Sequence, residues 1–163
     1  MPARKNSDED LSRLYSRPGF LLRRAHQISA AVFEDACREL ALTPAQFGAL
    51  TVLQAHPGLG QSSLARALGF DKVTVLRVLR GLEARGLVER GPAEDNRRNV
   101  SVALTPEGRR VLRQAQKPAE NAYKRLMGPL SAPQQKQLLD LLQLLTGELE
   151  SHARAAFVPP DAL

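Results

Sequence analysis

The chain has 163 residues, of which 43% are hydrophobic and 25% are charged. This length and composition favour one compact folding unit with a core and argue against overall disorder. The formal net charge is +6, and a basic balance favours polyanionic partners such as nucleic acid or an anionic membrane. The positive excess is central, since residues 43–110 carry ten Lys or Arg against six Asp or Glu, whereas residues 131–163 carry two against four.

Cysteine usage and hydropathy indicate a soluble, cytoplasmic protein. The single cysteine, Cys37, cannot form an internal disulfide, so a reduced compartment is expected. No stretch approaches the roughly 18 to 20 apolar residues of a membrane-spanning helix, and we expect no membrane partner. The scattered His26, His56 and His152 predict no metal site. The sequence contains no Gly-rich phosphate loop, metal-ligand cluster or nucleophile motif, so we expect no cofactor and no enzyme activity.

The first half of the chain predicts helices. Residues 1–10 are polar and of mixed charge, which predicts a frayed tail. A long helix with one apolar face is predicted from Arg17 to Leu40, because apolar residues recur there at spacings of three and four. A second helix is predicted from Pro44 to about Ala55, with Thr43 as its N-cap and Gln46 as the partner in a capping box.

A helix-turn-helix pattern follows. Ser62 is the predicted cap of a two-turn helix that Gly69 stops, and Asp71 is the predicted cap of a longer, basic helix that ends at Gly86. The stretches "LVER" and "NVSVALT" then show the alternation of a β-hairpin with one packed face, which is clearest at Val100, Val102 and Leu104.

Two more helices are predicted after the hairpin. Thr105 and Pro106 begin the first, and Pro118 should kink or break it. The second is so rich in leucine that its apolar arc is too wide for a solvated surface helix, which predicts burial against another subunit. The segment "FVPPDAL" is expected to be unstructured. The predicted order, α-α-α-α-β-β-α-α, is a mainly α fold with a small β-hairpin.

The stretches "LTPAQFGALTVL", "SSLARALG", "VTVLRVLRGLEARGLVER", "NRR" and "LTPEG" resemble, in order and spacing, the core of the MarR family of bacterial winged-helix transcription regulators. The resemblance implies a winged helix-turn-helix DNA-binding domain over residues 43–110 and a helical dimerisation region from residues 1–42 and 111–163. It also implies a homodimer, by family habit a repressor, that binds a palindromic operator in double-stranded DNA. The stretch "RPGFLLRRAHQISAAVF" further resembles the branch that regulates aromatic-acid catabolism, which includes the hydroxynicotinate-responsive NicR and BpsR.

In the family, the helix that corresponds to positions 71–85 enters the major groove. Methyl groups on this helix can touch a thymine methyl, and its cations can reach guanine edges or phosphates. The start of the shorter helix can hold a phosphate through backbone N–H and hydroxyl groups. The DNA contacts predicted for the helix-turn-helix are Gln61, Ser62, Ser63, Lys72, Val73, Thr74 and Arg77.

The loop between the two predicted strands corresponds to the family's wing, which reaches the minor groove. Arg98 stands at the position of the family's wing arginine, and Arg97 lies beside it, where the negative potential of a narrow minor groove attracts cations. The family's aspartate position holds Asn96 instead. Either Asn96 orients Arg98 by hydrogen bonds, or Asp95 does so after a one-residue adjustment of the loop.

The family's effectors are commonly small phenolic or aromatic acids. On the first predicted helix, one aromatic ring and two guanidinium groups share spacings of three and four, which suits an aromatic carboxylate. An ordinary solvated helix face is the competing interpretation. The predicted effector contacts are Arg17, Phe20, Arg24, His26, Gln27 and Phe47.

Two further interpretations of the function remain open. The protein could be an effector-independent architectural DNA-binding protein, or a regulator that senses oxidants through cysteine. Cys37 lies near the end of the first predicted helix, whereas peroxide-sensing relatives carry their cysteine near its start, so a buried structural cysteine is favoured. Arg80 stands where the family often has an acidic residue and is interpreted as a solvated or salt-bridged side chain.

Overall fold

The computed structural model describes residues 3–92 and 100–160, with side chains from residue 10 onward. Two short 3-10 helices, Arg38–Leu40 and Glu150–His152, accompany the longer elements. The mainly helical fold with a hairpin is confirmed. In chain order the elements are α1 (Ala3–Ser16), α2 (Pro18–Ala36), α3 (Pro44–Ala55), α4 (Gln61–Ala67), α5 (Lys72–Ala84), β1 (Val88–Pro92), β2 (Val100–Leu104), α6 (Pro106–Met127) and α7 (Ala132–Leu149).

One core lies beneath α3, α4, α5, α6 and the hairpin. Leu50, Leu64, Leu79, Val102 and Ala115 each have no exposed surface, which shows that all five elements contribute to it. The inner face of α6 extends this core towards α2, and the Asp35 carboxylate of α2 pairs with Arg125 of α6 at 3.2 Å. The core therefore joins the end of α2 to the central unit.

The hairpin is antiparallel and in register from Val88 opposite Leu104 to Pro92 opposite Val100. Its second strand also contacts the chain just before α4. The N–H of Val102 donates to the carbonyl of Leu59 at 3.0 Å, and Ser101 forms an isolated antiparallel β-bridge with Gly60. The hairpin and the start of α4 are thus held as one piece.

The N-terminal region differs from the prediction. The expectation of a frayed tail is wrong for residues 3–10, because α1 begins at Ala3, and residues 1 and 2 lie outside the described residues. The last turn of α1 contacts α2 through the rings of Tyr15 and Phe20, whose centroids are 5.2 Å apart. The long helix predicted to Leu40 ends at Ala36, after which a 3-10 turn leads to Ala41.

The predicted cap at Ser62 and the predicted break at Pro118 are wrong, whereas the caps at Thr43, Asp71 and Thr105 are confirmed. Ser62 does not cap α4: Gly60, whose extended backbone is paired with the hairpin, is the N-cap, so the helix starts two residues earlier than predicted. Pro118 does not break α6, which is continuous. Burial of the alanines on either side of Pro118 offsets the one hydrogen bond that proline removes.

The C-terminal segment is attached to the helix-turn-helix. The N–H of Phe157 donates to Oε1 of Glu150 at 2.8 Å, and the N–H of Val158 donates to the carbonyl of Arg66 in α4 at 3.0 Å. The expectation of an unstructured tail is therefore wrong for residues 157–160, and residues 161–163 lie outside the described residues.

In the single chain, α7 has no buried residue. Its leucines are between 36% and 60% exposed and cover a broad arc of the helix. In the part of the chain that the structure describes, no helix combines the length and apolar character needed to cross a membrane. An exposed apolar surface of this size is typical of a site where another molecule packs, and we call it the leucine-rich face of α7. It is formed by Leu138, Leu139, Leu141, Leu142, Leu144, Leu145 and Leu149.

The close approach of α6 to the hairpin predicts a large stability effect at Gly108. A Cβ added there would lie 1.9 Å from the carbonyl oxygen of Leu87, so Gly108→Ala forces the two backbones apart. We expect a loss of about 2 kcal/mol or more in the free energy of unfolding, measured with urea. Gly91→Ala is the control, since no described atom lies within 4 Å of its added Cβ, and it should change stability by less than about 0.5 kcal/mol. Equal stabilities of the two variants would contradict the close approach.

Candidate nucleic-acid interface

The inner face of α5 determines which of its side chains reach solvent. Val75, Val78, Leu79 and Leu82 are all buried against the core, so the opposite face points outward. Val73 on that face is 75% exposed, a high value for an aliphatic side chain. The outward surface of α5 therefore combines an apolar side chain with neighbouring cations.

The cations of this surface are Lys72, Arg77 and Arg80, which are all exposed. Arg80 follows Arg77 by three residues and Val73 by seven, so it lies on the same face. Among the residues that the structure describes, no carboxylate pairs with it. Arg80 was not among the predicted contacts, although helical spacing alone was sufficient to place it there.

Asp71 fixes the start of α5. Its Oδ1 accepts a hydrogen bond from the backbone N–H of Thr74 at 2.7 Å, the geometry of an N-cap. This hydrogen bond, with a smaller contribution from the charge of Arg77, holds the pKa of the Asp71 carboxyl below its usual value. The carboxylate therefore remains ionised near neutral pH, and the cap orients the half-buried Thr74 beside Val73.

The C-terminal half of α5 is tied to the hairpin. Glu83 accepts a hydrogen bond from the guanidinium of Arg90 in β1. This hydrogen bond lowers the pKa of the Glu83 carboxyl and raises that of Arg90. Glu83 is therefore engaged with β1, and the direction of α5 is linked to that of the hairpin.

The start of α4 lies beside the hairpin through the contacts of Leu59 and Gly60 with β2. Ser62 is exposed there, whereas Gln61 and Ser63 are half-buried. The three residues predicted at this helix start are thus next to one another in the first turn of α4, with the hydroxyl of Ser62 the most accessible.

The predicted wing residues Asp95, Asn96, Arg97 and Arg98 lie outside the described residues. Pro92 and Val100 on either side of them are paired with each other. Asn96 and Asp95 therefore both remain predicted partners of Arg98.

Part of the predicted effector set is assembled on α2. Arg23 places its guanidinium carbon 5.0 Å from the centroid of the Phe20 ring, within the range of a cation–π contact. Arg24 donates from Nη1 to Oε1 of Gln27 at 3.1 Å, and Arg23 donates to the same oxygen at 3.2 Å. Arg23 was missed by the prediction, because spacing alone did not distinguish it from Arg24.

Other members of that set lie elsewhere. The ring centroid of Phe47 is 5.4 Å from that of the buried Phe33, so Phe47 contributes to the edge of the core. His26 and Arg17 are exposed on or just before α2. The described contacts bring Phe20, Arg24 and Gln27 together and do not bring Phe47 to them.

Cys37 is buried at the end of α2, with 1% of its surface exposed. Burial raises the pKa of its thiol, which disfavours the thiolate that reacts with oxidants. Within the described ranges, no three His, Cys, Asp or Glu side chains are grouped as metal ligands would be. The environment of Cys37 therefore agrees with a structural role.

Comparison with known proteins places these features in a wider group. Residues 42–99 match the sequence pattern of the MarR family. The HTH-type transcriptional repressor NicR of Pseudomonas putida is 34% identical over 125 residues, which cover 77% of this chain and 79% of NicR.

Two solved structures share the fold. Bordetella bronchiseptica BpsR, studied for the regulation of its DNA binding by 6-hydroxynicotinic acid, is 30% identical, with a TM-score of 0.76 over 81% of this chain and 94% of that one. The transcriptional repressor CouR bound to a 23-mer DNA duplex is 32% identical, with a TM-score of 0.75 over 82% of this chain and 94% of that one.

Proposed function

Because this chain belongs to the MarR family of transcriptional regulators, we propose that it represses transcription by binding a palindromic operator as a homodimer. It is a DNA-binding regulator and not an enzyme. The observation that carries the proposal is the outward face of α5, where an exposed valine stands among arginine and lysine side chains. The relatives NicR and CouR are both named repressors.

The residues of this surface suit distinct parts of a DNA duplex. Val73 and Thr74 offer methyl groups to thymine in the major groove, while Lys72 and Arg77 reach guanine edges or phosphates. Arg80, one turn further along, extends this cationic face. At the first turn of α4, the hydroxyl groups of Ser62 and Ser63, together with the amide of Gln61, are the proposed contacts to the phosphate backbone. Arg97 and Arg98 of the wing are proposed to contact the adjacent minor groove and its phosphates.

The DNA contacts are tested by removing single cations. Arg77→Ala and Arg98→Ala should each weaken operator binding at least about tenfold and lower the salt dependence by about one counterion, because each removes a contact to DNA. Affinity is measured by gel shift at several salt concentrations, with the operator first selected from a random duplex library. Lys136→Ala is the control, since Lys136 pairs with Asp140 on α7 and should leave binding unchanged. Unaltered affinity of Arg98→Ala would remove the wing from the interface.

The proposed homodimer is supported by apolar surface that the single chain leaves in water. The leucine-rich face of α7 is joined by Leu11, Leu14, Leu21 and Ile28 of α1 and α2, which are between 45% and 53% exposed. An exposed apolar surface of this extent is typical of a protein interface. Because both ends of the chain carry it, we assign dimerisation to residues 1–42 and 111–163.

A charge on the leucine-rich face should separate the protomers. Leu141→Glu is expected to convert a dimer into a monomer in sedimentation at micromolar concentration, because the dimer would have to bury an unpaired carboxylate. Lys136→Glu places the same carboxylate on the other side of α7 and should remain dimeric. A monomeric mass for the unmodified chain would refute the proposed assembly.

The proposed effector is a small aromatic carboxylate, for which 6-hydroxynicotinic acid is the first probe because of the similarity to BpsR. Phe20 offers a ring for stacking, and Arg24 and Gln27 offer charge and hydrogen bonds to a carboxylate. Such a ligand weakens DNA binding tenfold if its affinities for the two conformations differ by about 1.4 kcal/mol.

A screen of aromatic acids tests the effector. We expect at least one, hydroxynicotinates included, to raise the melting temperature and to release the operator, and Arg24→Ala should abolish both effects. Arg113→Ala, which removes an exposed arginine of α6, is the control and should respond normally. Salt-sensitive binding to every duplex, with no effect of any acid, would instead support an architectural DNA-binding protein.

A further inference from the structure

The chain segment between α2 and α3 is a short, firmly anchored connection. Cys37 at its start and Leu42 near its end are 1% and 2% exposed, so both ends are fixed in the core. Between them lies the 3-10 helix Arg38–Leu40, followed by Ala41 with a φ of 47°. Alanine rarely adopts this left-handed backbone, so neighbouring contacts must hold the conformation in place.

Arg85, at the C-terminal end of α5, supplies such a contact. Its Nη1 donates to the carbonyl of Ala41 at 2.8 Å, and its Nη2 donates to the carbonyl of Leu40 at 2.7 Å. Both acceptors stand at the C-terminal end of the 3-10 helix, where carbonyl groups lack helical partners. One guanidinium therefore joins α5 to a segment more than forty residues earlier in the chain.

The geometry of this contact requires an arginine. A planar guanidinium presents two N–H groups in a fixed fork, so the two carbonyls determine both the position and the orientation of the side chain. A lysine carries the same charge on a single nitrogen and cannot reproduce the fork. Arg85 is exposed in the described chain, so a substitution there removes the contact without opening the core.

We propose that Arg85 is a positioning residue, which sets the direction of α5 relative to α2 and thereby the separation of the two α5 helices in the dimer. The proposal rests on the function proposed above. The α2 helix belongs to the proposed dimerisation region, and the connection after it leads into the winged unit. Through Arg85, the end of α5 is hydrogen-bonded to this connection directly, in addition to the packing of its inner face.

The proposal has a specific consequence for operator recognition. Two α5 helices must meet major grooves roughly 34 to 36 Å apart, so an error of a few ångströms weakens both half-sites together. Loss of the fork broadens the range of separations. It therefore costs affinity on an operator of the selected spacing and costs little on an operator whose half-sites have been moved by one base pair.

The test compares Arg85→Lys and Arg85→Ala on operators of the selected spacing and of spacing altered by one base pair. Both variants should lose about tenfold in affinity on the selected operator, lose much less on the altered ones and keep the salt dependence of the unmodified protein. Arg109→Lys is the matched control, because Arg109 also donates to a backbone carbonyl, that of Leu104 at 2.9 Å, within the winged unit. It should keep the spacing preference.

Three results would overturn the proposal. Arg85→Lys that binds like the unmodified protein would make Arg85 a simple charge, and a lowered salt dependence of Arg85→Ala would make it a phosphate contact. Equal losses on every spacing would indicate general destabilisation. If the unmodified protein selects no operator, the proposed function fails instead. The contact of Arg85 with Leu40 and Ala41 is then tested by amide hydrogen exchange. Arg85→Lys must accelerate the exchange of backbone amides at residues 38–43, and Arg109→Lys must not.

Discussion

Leu79 and Leu82, together with Val75 and Val78, hold the inner side of α5 away from water, and most other features of the winged unit depend on this contact. A helix so anchored can turn about its axis only by exposing these side chains, so the outward position of Val73 and Arg77 is determined by burial on the opposite side. The polar contacts at Asp71, at Glu83 and at Arg85 then fix its two ends. The core thus keeps in place the surface that we propose contacts DNA.

Much of this arrangement could be predicted from local sequence. Thr43, Asp71 and Thr105 each precede a helix and cap it as expected, and Gly69 and Gly86 adopt the left-handed backbone with which the helices of the helix-turn-helix end. These features depend on a few neighbouring residues, so they can be recognised directly in the sequence. The hairpin could be predicted for the same reason, because alternation reports burial on one face.

Several features that local sequence did not predict involve contacts between distant residues. Gly60 rather than Ser62 caps α4 because β2 pairs with it, and the ring of Phe47 packs against the buried Phe33. Arg85 meets Ala41 across the fold, where no spacing rule links them. The leucine-rich face of α7 is a different case: leucine content alone predicted its burial against another subunit, and this stays a prediction, since α7 has no buried residue in the single chain.

The attachment of Phe157 and Val158 also governs how this protein can be handled. Val158 is hydrogen-bonded to the last turn of α4, and Phe157 lies against Gly69, in the turn between α4 and α5, where an added Cβ would be 3.8 Å from its own Cβ. An affinity handle or fluorescent domain attached next to Val158 would lie beside the helix-turn-helix, so it can disturb the surface whose binding it is meant to report. Quantitative work is better served by a handle that can be cleaved off.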